Sequence, residues 1–240
     1  MTATQDRTTT AIVVPSTRAV ALGLAVVGIT LVALGIAASL LEVSQLDIAG
    51  RENIITLLSL KSEYNIPTVV SVLWLAMCAL LLVLIAAVQR ANGAPFVSRW
   101  ALLAAIFLYL AIDEGALLHE RLNEPLAAMP ITSGFLRWGW VLVGGAVVVG
   151  LAAAYLRFVV ALPSPYRAGV VTAAALYVTG ALLMEVVGAG VSEDEGLDTP
   201  RYLTLTVVEE ALELAGIGVL LVTLWALLRR WAGQLLLRHR

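Results

Sequence analysis

The chain has 240 residues, 60% of them hydrophobic and 13% charged, with a formal net charge of −2 and a mean hydropathy of +0.94. A soluble domain carries about 25% charged residues, so the composition excludes an ordinary water-soluble fold, and no nucleic-acid role is implied. One cysteine excludes an intrachain disulfide, and two histidines exclude a site built on three imidazoles.

The first 17 residues are polar and rich in threonine. They lack the basic start and short apolar core of a cleaved signal, so they read as a disordered cytoplasmic tail and the run after Arg18 as a retained span. A helix crossing the hydrocarbon needs about 20 apolar residues at 1.5 Å each. Six stretches within a membrane domain at 18–231 qualify: 18–41, 67–88, 100–120, 135–158, 168–191 and 202–231. Loop 41–66 is long and partly apolar, which suits the outer membrane surface. Pro67 fits the first turn of the second helix, where its missing N–H costs nothing. Cys78 lies in an apolar run and reads as a packing residue. Gly93-Ala94-Pro95 and Pro163-Ser164-Pro165 mark short connections. Loop 192–201 is acidic but lacks the spacing of a calcium-binding loop. Residues 232–240 form a basic cytoplasmic end suited to anionic lipid.

Orientation follows the arginine and lysine bias. Arg7, Arg18, Arg90, Arg99, Arg157, Arg167, Arg229, Arg230, Arg238 and Arg240 fall on one side of six spans; Arg51, Lys61, Arg121, Arg137 and Arg201 fall on the other. The fold class is therefore all-α, a six-helix transmembrane bundle with both termini cytoplasmic. Trp100, Trp225 and Trp231 at one level, and Trp138, Trp140 and Tyr202 at the other, suit two aromatic belts. The acids are more lopsided: of 17, only Asp6 lies on the cytoplasmic side.

The third stretch raises the functional question. Trp100 to Ile112 is too short to span, so the helix carries Asp113 and Glu114 into the bilayer to finish its crossing. Glu185 lies about a turn and a half before the outer end of the fifth helix. Glu209 and Glu210 lie about two turns into the sixth, with Glu213 one turn deeper. Thr206, Glu209, Glu210 and Glu213 fall within an arc of about 100°. On the third helix Asp113, Glu114, Glu120 and Arg121 share one side and His119 projects elsewhere. Ionisable groups at such depth are costly and point to function, so one polar pocket lined by the third, fifth and sixth helices is expected.

Oxygen-rich ligands suit calcium, magnesium or manganese, and iron if His119 joins. The candidate metal residues are Asp113, Glu114, Glu185, Glu209, Glu210 and Glu213, with His119 and Glu120 as weaker members. Catalytic zinc prefers imidazole or thiolate ligands, and the paired Glu-x-x-His motifs of ferritin-type sites are missing. Without a metal, the crowded carboxylates would share protons, because like charges raise one another's pKa. A third account has Arg121, Arg137 and Arg201 neutralising the acids and fixing the bundle.

"YNIPT" at 64–68, "AIDEGALLHERL" at 111–122, "LLMEVVGAG" at 182–190 and "YLTLTVVEEALELAGI" at 202–217 resemble the recurring segments of bacterial multi-pass membrane proteins of unknown activity. The resemblance implies about six spans and the bacterial cytoplasmic (inner) membrane. It brings no activity. The reading that results is an outer-facing carboxylate pocket for a divalent cation, with the lipid bilayer as surroundings. A lipid headgroup or isoprenoid phosphate is the natural substrate if the pocket is catalytic. The rivals are a proton- or cation-coupled transporter, which needs polar groups in both halves of a pathway, and an accessory protein with structural acids.

A reporter fused after Arg240 is expected to report cytoplasm, and one inserted near Asp198 the outside. A cytoplasmic signal from the 192–201 loop contradicts the orientation.

Overall fold

The computed structural model describes residues 14–44, 46–129 and 131–238, with side chains to residue 232. Most of the expected N-terminal tail and the final two residues lie outside the described residues. Everything described is helix or connection.

Helix α1 (Thr17–Val43) begins at Ser16, whose Oγ accepts the Ala19 N–H at 3.1 Å. Its last carbonyls lack intrahelical donors. Arg51 supplies them, donating to Leu41 O and Glu42 O at 3.0 Å and to Ser44 O at 3.3 Å. Arg51 also opens α2 (Arg51–Leu58), a short helix inside the long 41–66 connection. In α3 (Ile66–Ala91) the Asn65 side chain caps the Thr68 N–H at 3.1 Å, and Pro67 occupies the first turn. α4 (Val97–Ala116) ends before a 3₁₀ turn at Glu120–Leu122 and α5 (Asn123–Leu126), with the chain bent by 72°. A second 3₁₀ turn at Gly134–Leu136 leads into α6 (Trp140–Ala161). α7 (Ser164–Val178) runs through a π turn at Thr179–Met184 into α8 (Glu185–Asp194), and α9 (Pro200–Arg238) closes the bundle.

Five of these stretches are long and apolar enough to cross a membrane, or six when α4 and α5 count as one bent span. The protein is a multi-pass membrane protein by that measure. Most expected boundaries move by a few residues, three of them for a local reason. The third helix stops at Ala116 rather than at residue 120, because Leu117 turns left-handed at φ 52°. The fourth starts at Trp140 rather than at residue 135, because 134–136 tighten into a 3₁₀ turn. The sixth continues past residue 231 to Arg238, since a lone Gly233 does not break a run of good helix formers.

Cross-chain contacts mark the two ends of the bundle. At one end Trp225 Nε1 donates to Pro15 O at 3.2 Å, and the Trp100 ring meets Phe158 at 4.6 Å and Trp231 at 5.7 Å. At the other, Lys61 Nζ pairs with Glu42 Oε1 at 2.8 Å and Asp198 Oδ1 at 2.6 Å, and the Gly134 N–H donates to Glu193 at 2.7 Å. Trp100 is 2% exposed, so it is a core residue and not the belt residue its position suggests.

α9 is the central helix, packed against α1, α3, α7 and α8. Its Leu214, Ile217, Leu221, Leu224 and Leu227 meet Leu75, Cys78, Leu82 and Ile85 of α3 in a dry core below the acids. Lipid tails are as apolar as leucine, so close fit rather than escape from water holds such helices together. One close fit is between α7 and α9, where backbone meets backbone. A Cβ at Gly216 would stand 2.8 Å from Tyr177 N and 2.9 Å from Ala173 O.

Gly216→Ala is therefore expected to force two backbones apart and lower stability in detergent by about 1–3 kcal/mol. Gly145→Ala, with nothing within 4 Å, serves as the neutral comparison. Equal melting of both variants contradicts the close crossing.

Candidate functional site

The site starts at the end of α4. Leu117 donates its N–H to Asp113 O at 2.7 Å in the left-handed conformation, which costs a residue with a side chain roughly 1–2 kcal/mol. The reversal brings His119 back over Asp113. The His119 N–H donates to Asp113 Oδ1 at 2.8 Å, and its Nδ1 lies 2.8 Å from Asp113 Oδ2. Both oxygens of Asp113 thus hold one residue. The sequence places His119 away from the acids and Asp113 among the ligands; the break in α4 couples the two instead. The far face of the imidazole meets the Trp140 ring, with centroids 4.6 Å apart.

Trp140 carries the site across to α8. Its Nε1 donates to Glu185 Oε1 at 3.2 Å, so this tryptophan points inward and not to a lipid belt. Glu185 follows the π turn, whose i→i+5 bonds admit one more residue than an α turn. Gly180 within that turn allows α9 to close in: a Cβ there would sit 2.7 Å from Glu213 Cγ and 2.8 Å from Glu209 O. Across this contact the Glu185 and Glu209 carboxyls are close electrostatic neighbours. Two carboxyls at that range hold a proton or a cation between them.

Helix α9 begins at Pro200, so Glu209 and Glu210 stand well inside it, as their place in the sixth stretch leads one to expect. Glu210 interacts electrostatically with Glu114, Glu63 and Glu185, and Glu213 with Glu210, Glu114, Glu209 and Glu185. Tyr177 of α7 lies beside Glu213 at the deep end. Asp113 is buried; Glu114, Glu185, Glu209, Glu210, Glu213 and His119 are half-buried; Glu120 is exposed in the 3₁₀ turn. All six candidate metal residues and His119 therefore gather between α4, α8 and α9. Among the described residues, however, no three His, Cys, Asp or Glu side chains are arranged to hold one ion.

Glu63 was missed by the sequence reading. It precedes α3, accepts a long 3.5 Å hydrogen bond from Thr68 Oγ1, and faces Glu114, Glu120, Glu185 and His119. Its place in "SEYNIPT", next to the capping Asn65, was the available signal.

The basic residues proposed as neutralisers go elsewhere. Arg201 pairs with Glu195 at 2.6 Å, and the Arg137 guanidinium lies 5.0 Å over the Trp138 ring. Among the described residues, no ion pair joins Arg121, Arg137 or Arg201 to the cluster, and His119 is its only cationic candidate. Lys61 is spent on Glu42 and Asp198. Burial works against its charge, but the hydrogen bonds to both carboxylates prevail and raise its pKa above the usual 10.5.

Polar groups thin out below the cluster. Thr223 Oγ1 donates to Val219 O of its own helix at 2.7 Å, and the Tyr155 hydroxyl donates to Arg99 O at 3.1 Å. To the side, an apolar groove of about 390 Å³ opens between α3 and α4, lined by Tyr64, Thr68, Val69, Val72, Leu73 and Gly115. Thr68 and Gly115 bring it next to Glu63 and Glu114.

Desolvation and the charge of Glu120 push the Glu63 carboxyl above its usual 4.5, against the opposing pull of His119 and Thr68. The folded state then holds that proton more tightly than the unfolded chain does. Its contribution is lost as pH rises from the ordinary value through the folded one. Glu63→Gln is expected to melt slightly higher than wild type at about pH 8, with the difference vanishing below about pH 4. A variant that melts lower at the alkaline end contradicts this placement of Glu63.

Residues 20–227 match the model of a family described as a domain of unknown function, DUF8692. No curated protein and no solved structure matches the chain.

Proposed function

The chain belongs to the DUF8692 family, whose function is unknown, and from the geometry we propose that it is a bacterial cytoplasmic-membrane protein that takes a divalent cation into an outer-facing carboxyl pocket. The proposed orientation has both termini in the cytoplasm, following the arginine bias, so that the acid-rich end faces outward. One observation carries the reading. Glu63, Asp113, Glu114, Glu185, Glu209, Glu210 and Glu213 crowd together with His119 as the sole cationic candidate among the described residues. Charges in a low-dielectric site are tolerated only when paired or bound to a metal. An arriving ion would be met by the neighbouring carboxyls of Glu185 and Glu209 and draw further carboxylates toward it.

The dry leucine layer of α9 and α3 supports a one-sided pocket rather than a pathway, since an ion crossing it would lose its water without replacement ligands. The groove beside Glu63 and Glu114 supports a lipid or isoprenoid phosphate as substrate. Its apolar wall suits a hydrocarbon chain, and a pocket-bound cation would neutralise and polarise the phosphate. A second reading, a store of shared protons without metal, is supported by the close approach of the Glu185 and Glu209 carboxyls.

Melting of chelator-treated protein in detergent separates the two. A ligand at a hundredfold excess over its dissociation constant adds about 2.7 kcal/mol to stability. Calcium, magnesium, manganese or iron(II) is expected to raise the transition in wild type and to lose most of that effect in Glu209→Gln and Glu213→Gln. A transition that none of the four moves contradicts cation binding and leaves the shared-proton reading.

A further inference from the structure

We propose that the arginine-rich end of the bundle, opposite the carboxyl pocket and independent of it, binds one anionic phospholipid, with Arg99 and Arg230 taking its phosphate. Among the described residues no ion pair reaches Arg90, Arg99, Arg157, Arg167, Arg229 or Arg230. The described Asp and Glu residues all lie toward the other end. Like charges gathered without partners repel one another and attract an anion. Two of these guanidiniums are set in place by aromatic rings. Arg99 Cζ lies 5.4 Å from the centroid of Tyr155, and Arg230 Cζ lies 5.8 Å from that of Tyr166. A run of edge-on rings links the two: Tyr155 to Phe158 at 5.6 Å, Phe158 to Trp100 at 4.6 Å, and Trp100 to Trp231, the neighbour of Arg230, at 5.7 Å.

The chemistry of this pair selects the partner. A guanidinium stacked on a ring keeps its N–H donors in its own plane, and that fork fits phosphate oxygens bidentately. Among the described residues no hydrogen bond uses the side-chain donors of Arg99 or Arg230, whereas Arg167 spends Nη1 on Val160 O at 3.2 Å. Side chains already held by their rings lose little freedom on binding. The same wall has room for acyl chains. Val149, Leu156 and Val160 share one face of α6 by their spacing, and they are 70%, 63% and 58% exposed. That face runs down to the turns that carry Tyr155 and Phe158. A phospholipid matches both features, with its headgroup on the arginines and its chains along α6; a free phosphate ion has no use for the apolar face. In the orientation proposed above this end meets the cytoplasmic leaflet, whose anionic headgroups attract clustered arginines.

Native mass spectrometry of the purified full chain tests this, with phosphatidylglycerol or phosphatidylcholine added to the detergent micelles at equal mole fraction. Wild type is expected to retain one phosphatidylglycerol in preference to phosphatidylcholine, and inorganic phosphate is expected not to displace it. Arg99→Gln and Arg230→Gln are each expected to weaken retention about fivefold. Arg230→Lys is expected to recover only part of that loss, because lysine keeps the charge but not the planar fork. Arg90→Gln, at the same end but without a ring contact among the described residues, is expected to change retention little. Wild type without a preference for phosphatidylglycerol overturns the site, however the variants fold. Arg90→Gln that weakens retention as much as Arg99→Gln, or Arg230→Lys that equals wild type, reduces this end to diffuse attraction and also overturns it. Displacement by inorganic phosphate overturns the lipid as occupant.

Discussion

Carboxyl groups set at helix depth in a membrane protein must be neutralised, and that constraint organises this molecule. Transfer of an uncompensated charge into a low-dielectric interior is prohibitive, so such a group is paired, protonated or bound to a cation. Here the nearby cations are directed elsewhere. Lys61 ties the end of α1 to the loop before α9, Arg51 closes the carbonyl end of α1, and Arg201 pairs with Glu195. The acids of α4, α8 and α9 are left facing one another with His119 in their midst.

The local irregularities of the fold serve the same cluster. A left-handed leucine ends α4 one turn early and returns His119 to Asp113. A π turn sets Glu185 against α9, and Gly180 within it removes the side chain that would hold Glu209 and Glu213 away. Strained or rare backbone geometry persists where the surroundings hold it in place, and it gathers at functional sites. Below that level the same helices are regular and dry, with leucines of α9 seated on α3. The contrast between an irregular acidic end and a close-packed apolar end is the basis for a site open to one face.

Much of this is legible in the sequence, for a physical reason. Hydrocarbon imposes a length and an apolar content on each span, so helix positions follow from composition alone. The shared depth of Asp113, Glu185 and Glu209 follows from rise per residue. What escapes is whatever depends on departures from the regular helix. Helical periodicity carries His119 to the wrong face because nothing in "EGALLHE" announces that Leu117 turns left-handed; the glycine there is Gly115, two residues earlier. Glu63 lies outside any span and looks like an ordinary loop acid until the Asn65 cap folds it over the pocket. Trp140 reads as a belt residue because its indole donor finds Glu185 only across 45 residues of chain.

The most direct measurement is the metal content of the purified protein by elemental analysis, wild type beside Glu213→Gln. Glu213 is the deepest of the acids and touches four others electrostatically, so its loss as a charge removes the centre of the cluster. The account predicts a divalent metal retained by wild type in near-stoichiometric amount and largely lost from the variant. Equal and negligible metal in both proteins, isolated without chelator from cells grown with each ion, contradicts it.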